Sequence, residues 1–222
     1  MKLRHLLIIV VLVAATTNAA VAGNTSFGIK AGLNAASITD NPTSWDPSMS
    51  FKPGSAAGAI LIYQFNDQLS LQPELLYSQR GVTSRLLDYS IVDVDLTALF
   101  DYVEMPLLLV YTVPLKGSFK PILYVGPVLS YTLSSELDLS ASLLSVSVDI
   151  GSVTHVNDFG GIVGTGFRWD AGSGMVTFDI RYQRGFTNVI TSGDFEINGD
   201  PQVIEADDIK NQGFALLLGY AF

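Results

Sequence analysis

The stretch Lys210–Phe222, KNQGFALLLGYAF, decides how this chain is read. Phe214, Leu216, Leu218, Tyr220 and Phe222 occupy every second position, and the sequence stops on the last of them. Alternate side chains of a β-strand share a face, so these five make one apolar, aromatic-tipped face. Gly213, Ala215, Leu217, Gly219 and Ala221 make the other, and most of them are small. A strand broad on one side and narrow on the other suits a curved sheet with lipid outside and a crowded interior. The same strand at the edge of a soluble sandwich would template aggregation.

Working outward, the rest of the chain repeats this pattern. Alternating segments are expected at about 26–35, 54–65, 69–82, 102–113, 119–133, 157–170, 175–186 and 210–222. The clearest is the third, where Leu69, Leu71, Pro73, Leu75 and Tyr77 oppose Ser70, Gln72, Glu74, Ser78 and Arg80. The connections run long, short, long, short, long, short, long. Asn66-Asp67-Gln68, Pro114–Ser118 and Ala171–Gly174 are the short ones. Outer-membrane barrels have an even strand number, short periplasmic turns, long external loops and ~9–11 residues per crossing. The expected fold is therefore all-β: an eight-stranded antiparallel transmembrane β-barrel, with both ends of the chain on the periplasmic side. A closed barrel satisfies every backbone hydrogen bond, as hydrocarbon demands. A soluble lipocalin-like barrel has the same strand count, but the Gly-, Ala- and Ser-rich second face would make a poor solvated surface. Pro73, Pro106, Pro121 and Pro127 fall in or near strands, where proline is awkward, and are expected at bulges or strand ends.

Composition agrees. The chain is 48% hydrophobic and 15% charged. That is apolar for a soluble protein, yet no run after the first residues approaches the ~20 of a membrane helix. Met1–Arg4 is a basic n-region, Leu6–Ala15 a short apolar h-region, and Ala20-Val-Ala22 a small-x-small site. Residues 1–22 thus read as a cleaved signal peptide and 23–222 as the barrel domain, with cleavage after Ala22 or after Ala20. Without cysteine, neither a disulfide nor a lipid-anchored thiol is available. Loss of Lys2 and Arg4 leaves ten basic residues against 21 acidic ones, which argues against a nucleic-acid partner.

Two sets of side chains follow from the strand pattern. Tyr63, Phe65, Tyr111, Phe119, Phe167, Trp169 and Tyr220, with Phe27 and Phe222, fall near the short-turn ends. Tyr77, Tyr131, Phe159 and Tyr182 fall near the long-loop ends, so the two groups form girdles at the two interfaces. The inward face collects Lys30, Gln72, Glu74, Arg80, Glu104, Lys120, Arg168, Asp179 and Arg181. An eight-stranded barrel has room inside for side chains and little else, and buried charges need partners. Lys30, Glu74, Arg80, Glu104, Arg168, Asp179 and Arg181 are therefore expected to form an ion-pair network plugging the lumen. The competing reading is a narrow polar conduit or ligand site.

The chain resembles the small outer-membrane β-barrel domain family that includes the PorT-like proteins. The resemblance rests on Phe27–Asn34 (FGIKAGLN), Leu71–Ser78 (LQPELLYS), Tyr102–Leu109 (YVEMPLLL), Tyr124-Val-Gly-Pro127 and Gly219–Phe222. It implies a Gram-negative outer-membrane location and carries no catalytic residues to transfer. Members serve roles as different as secretion and unassigned surface functions.

Catalytic constellations are weak. Gly160–Gly166 lacks the strand-to-helix context and the Lys-Ser/Thr of a phosphate loop. Its inward glycines Gly160, Gly164 and Gly166 are expected to make room for large neighbours such as Tyr124 or Arg181. Glu74 and Glu104 have basic neighbours on their own face, which argues against an acid/base pair. Ser152, His155 and Asp158 are close in sequence, but on a strand His155 faces away from the other two. The long connections carry Asp40, Asp46, Asp88, Asp93, Asp95, Glu136, Asp138, Asp149, Asp194, Glu196, Asp200, Glu205, Asp207 and Asp208. None has the dense Asp/Gly spacing of a calcium loop.

The expectation is a monomeric, non-enzymatic outer-membrane protein. It has no cofactor, catalytic residue or metal site, and it displays acidic external loops for binding or envelope integrity. Its partners are outer-membrane lipid and, during biogenesis, the barrel-assembly machinery, which would read Phe214, Leu216, Leu218, Tyr220 and Phe222. The loop partner is left open. The alternatives are a narrow pore for small solutes, an accessory component of protein secretion, and a lipid-modifying enzyme.

Overall fold

A computed structural model describes residues 24–39, 49–89, 92–141, 144–149, 157–188, 193–197, 200–204 and 210–222. The signal segment 1–22, Asp40, Asp46, Ser152 and His155 lie outside the described residues. The strands are β1 (Thr25–Thr39), β2 (Met49–Gln64), β3 (Leu69–Tyr89), β4 (Val92–Thr112), β5 (Phe119–Ala141) and β6 (Leu144–Asp149). They continue as β7 (Asn157–Asp170), β8 (Met175–Asn188), β9 (Gly193–Ile197), β10 (Asp200–Ile204) and β11 (Lys210–Ala221). No described helix is long and apolar enough to cross a membrane.

Eight of these strands close a ring in the order β1-β2-β3-β4-β5-β7-β8-β11, every pair antiparallel. The ring is sealed by β1 and β11, which pair from Gly28 opposite Ala221 to Thr39 opposite Lys210. The expected eight-stranded antiparallel barrel is therefore the fold. Short turns join β2 to β3, β4 to β5 and β7 to β8. Gly117 and Gly172 take positive φ in two of them, a conformation glycine adopts without strain. In the third, Asn66 Oδ1 accepts from the backbone N–H of Gln68 and Leu69, closing the turn with its own side chain.

On the other side the strands outrun the expected boundaries. β3 and β4 pair as far as Tyr89 opposite Val92, so most of the acidic stretch read as a connection is a strand hairpin. β5 continues to Ala141 and folds back on β6, as the alternation through 134–154 allows. β9 and β10 form a separate hairpin between β8 and β11. The register shifts all lie toward this long-loop side, at Lys52/Ala56, Arg85/Leu87, Asp101/Tyr102 and Lys210/Gln212. Bulges favour barrel rims because they bend and twist the strand.

Three of the prolines are a correction. Pro73, Pro106 and Pro127 occupy neither bulges nor strand ends, whereas Pro121 falls in the first residues of β5, as expected. Pro73 lies opposite Leu107, Pro106 opposite Val128, Pro121 opposite Phe167 and Pro127 opposite Gly161, each inside a strand. Beside Pro106 the pairing passes from Pro73–Leu107 to Leu76–Glu104, and from Pro106–Val128 to Leu109–Val125, in unchanged register. The ladder lapses locally where a donor is missing, while continuous pairing on either side holds the register.

Alternation then sorts the side chains. Leu218 is 59% exposed and Val163 55%, while Leu217 and Ile162 beside them are each 1% exposed. The exposed apolar face points out around the whole ring, as a lipid-facing wall requires. The interior is mixed. Leu108, Val110, Ile122, Tyr124, Val128 and Ile162 cluster on β4, β5 and β7. Smaller clusters join Ala56, Leu76 and Leu217, and Ile60, Ile62 and Ala221. Gly164 serves this packing: a Cβ there would run into the Tyr124 ring.

Candidate functional site in the barrel lumen

The polar side chains of β1, β3, β4, β7 and β8 meet inside the barrel because they share the inward parity. Lys30 Nζ donates to Glu74 Oε1 at 2.7 Å and lies 2.8 Å from Asp179 Oδ2. Arg181 Nη1 donates to Glu74 Oε2 at 2.8 Å, and Gln72 Nε2 to Glu74 Oε1 at 2.7 Å. One carboxylate thus binds cations from two strands, and the Glu74 side chain is 0% exposed. The Lys30–Asp179 contact is ionic in distance but lacks hydrogen-bond alignment, so Asp179 has no hydrogen-bond donor among the described residues.

A second pair lies toward the long-loop side. Arg80 binds Glu104 and sits over the Tyr102 ring, 5.1 Å from its centroid. Asn211 Nδ2 contacts the Tyr102 hydroxyl at 3.4 Å, and Asn34 Nδ2 donates to Ser78 Oγ at 2.7 Å. Arg168 lies toward the short-turn mouth. Its Nη2 donates to Gln72 Oε1 at 3.0 Å and its Nη1 to Ser70 Oγ at 3.2 Å.

The structure thus gathers Lys30, Glu74, Asp179 and Arg181 into one cluster, pairs Arg80 with Glu104, and ties Arg168 to the cluster through Gln72. Glu74 and Glu104 belong to different ion pairs. Lys120 departs from the inward set: it pairs with Asp170 at 3.0 Å at the mouth, and both side chains are well exposed. Tyr102 and Asn211 were missing from the expected network. Their parity on β4 and β11 matches that of Glu104 and Leu217, which is the signal that finds them. Asp158 accepts from Thr187 and contacts Asn211.

On the outer wall, Tyr63, Phe65, Tyr111, Phe119 and Trp169 are exposed at the short-turn end, with Phe167 and Tyr220 partly covered. Several of these rings pack against a neighbouring aromatic. Phe119 and Phe167 have centroids 4.9 Å apart, Tyr63 and Phe65 5.3 Å, and Tyr220 and Phe222 5.1 Å. At the other end Tyr131 and Phe159 are exposed, and Phe159 packs on Phe186 at 5.9 Å. From Phe119 to Tyr131 is ~40 Å of strand, or ~30 Å at a ~40° tilt, which matches the height of a lipid-facing band flanked by aromatic belts.

The family model of the outer membrane protein beta-barrel domain matches residues 16–191. The chain belongs to this family. An outer-membrane β-barrel has its short turns in the periplasm and its long connections outside the cell, and this protein is accordingly located in the outer membrane. Among solved structures, the barrel is similar to Ail, the attachment invasion locus protein of Yersinia pestis. Identity is 14%, covering 90% of this chain and 100% of that one, with a TM-score of 0.40. It is similar to Neisserial surface protein A at 14% identity, 90% and 100% coverage and a TM-score of 0.41. For outer membrane protein W of E. coli the values are 15%, 91% and 100%, and 0.37. At these values the likeness says nothing of what the barrel binds. No curated protein sequence matches.

Proposed function

We propose that this outer-membrane barrel acts through its external loops, and that its lumen is a structural plug. The observation that carries the reading is the Lys30–Glu74–Asp179–Arg181 cluster, whose four side chains are each 3% exposed or less. In this reading it fills the cross-section together with the apolar cluster on β4, β5 and β7. The reading is non-enzymatic. Glu74, Glu104 and Asp179 are each engaged by a cation, leaving none of them in the role of a free acid or base.

The loop side has the material for display. β3 has 21 residues, and a crossing uses ~9–11, so ~10 residues, or ~33 Å of strand, project beyond the membrane. β4, β5 and β6 extend the same sheet outside. In it Asp88 lies opposite Asp93, and Glu136 opposite Asp149. The acidic residues carried by these outer strands support a role in presenting negative charge to a basic partner.

In the same reading the barrel is a monomer held in outer-membrane lipid, with Tyr63, Phe65, Tyr111, Phe119, Phe167, Trp169 and Tyr220 as its periplasmic girdle. The outward residues of β11 (Phe214, Leu216, Leu218, Tyr220 and Phe222) serve as the strand that the barrel-assembly machinery reads. Phe27–Asn34, Leu71–Ser78 and Tyr102–Leu109, all on ring strands, support a place among the PorT-like barrels.

Affinity capture tests the loop role. Intact barrel is expected to retain a partner from solubilised outer membranes that a version with all four external connections shortened does not retain. Equal retention by the two proteins would remove the loops from the function.

A further inference from the structure

The periplasmic mouth holds a cavity of about 460 Å³, within the size range of small-molecule sites. Its wall includes Arg168, Ser70, Thr112, Gln68, Lys116 and Lys120. Arg168 is 3% exposed. Its guanidinium donates only to neutral acceptors, Ser70 and Gln72, and its Nε has no partner among the described residues. No described carboxylate lies within ion-pair distance of it.

The charge count shows why this matters. Lys30, Arg168 and Arg181 are buried around two carboxylates, Glu74 and Asp179, and both of those are engaged by Lys30 or Arg181. One positive charge is left over, and it is the one beside the cavity. A buried cation without a counter-ion is strongly disfavoured, and guanidinium favours oxyanions through its planar set of donors. The rim adds no further excess. Lys120 is paired with Asp170, and Asp67 lines the cavity along with Lys116. The site therefore suits a single negative charge. Ser70 and Thr112 offer hydroxyls and Gln68 an amide around it.

We infer that the periplasmic vestibule is a binding site for a small soluble oxyanion, a phosphate or carboxylate group carried by a periplasmic solute, with Arg168 as its anchor. A soluble source is favoured by access. The cavity is bounded by turn residues at the barrel mouth, whereas lipid meets Tyr63, Tyr111 and Trp169 on the outer wall. The assignment is independent of what the external loops do.

The test is calorimetric titration of inorganic phosphate into the refolded barrel in phosphatidylcholine nanodiscs. Saturable binding that weakens with added chloride is expected. Arg168→Gln should weaken it about tenfold or more, and Lys120→Ala about threefold. Arg184→Gln, on the outer face of β8, should leave it unchanged. Absence of saturation up to about 10 mM phosphate, or equal binding by Arg168→Gln and the parent, would overturn the proposal. If Arg168→Gln does not fold, the exposed double variant Lys116→Ala/Lys120→Ala decides, and unchanged binding there overturns it. Loss of phosphate binding in phosphatidylglycerol nanodiscs would assign the cavity to a lipid headgroup and overturn the soluble source.

Discussion

Replacing Glu74 with alanine is expected to lower the unfolding free energy of the barrel by about 3–5 kcal/mol. Glu74 is the carboxylate that Lys30, Arg181 and Gln72 share. Without it Arg181 has no anion within ion-pair distance among the described residues, and Lys30 keeps only Asp179. The cost is the desolvation of a stranded cation, since the Lys30 and Arg181 side chains are 1% and 3% exposed. Lys120→Ala removes one half of the exposed pair with Asp170 and should cost about 0–1 kcal/mol. Urea unfolding of both variants, followed by heat-modifiable migration, makes the comparison. Similar small losses in the two would mean that the cluster is hydrated and the interior open.

Deleting Tyr220–Phe222 should cut the amount of assembled barrel in the outer membrane far more than a three-residue deletion within 40–48. Tyr220 and Ala221 pair with β1 at Ile29 and Gly28 and with β8 at Val176 and Met175. The backbone N–H of Phe222 donates to Phe27 O at 2.7 Å. Their loss opens the seam at its periplasmic end and exposes two unpaired edges to hydrocarbon. It also removes Ala221 from its cluster with Ile60 and Ile62. Quantifying heat-modifiable protein in outer-membrane fractions reads the outcome. Equal yields from the two deletions would contradict both the seam argument and the role of β11 in assembly.

The parts of the fold legible in the sequence are those the membrane enforces. Between the girdles one face meets lipid and the other a crowded interior, so Leu69–Tyr77 against Ser70–Ser78 alternates cleanly and the strand reads itself. Above the outer girdle both faces of β3 and β4 leave the hydrocarbon. The selection for alternation ends there, and the acidic stretch 83–101 reads as a loop although the backbone of 83–89 and 92–101 is paired. The prolines misled for a related reason. Strand propensity says that a missing donor belongs at an edge, but a barrel offers no edge, and the ladder absorbs the lapse around Pro106 in fixed register.

The lumen was legible as composition and less so as geometry. Parity placed Lys30, Glu74, Asp179 and Arg181 on one face. Which cation meets which carboxylate depends on the register around the ring and on side-chain length. Lys120 shares that parity yet sits at the mouth, because only its height on β5 separates it from the interior set. The apolar cluster of Leu108, Val110, Ile122 and Ile162 was similarly hidden: inward apolar residues look the same in sequence as outward ones once alternation gives way to a continuous run.

The central claim is that side chains close this barrel. Single-channel recording of the refolded protein in planar bilayers tests it most directly. No stable conductance steps are expected, because Glu74, Lys30, Asp179 and Arg181 and the neighbouring apolar cluster occupy the lumen. Reproducible, discrete steps from the parent protein would contradict the account and make the barrel a pore.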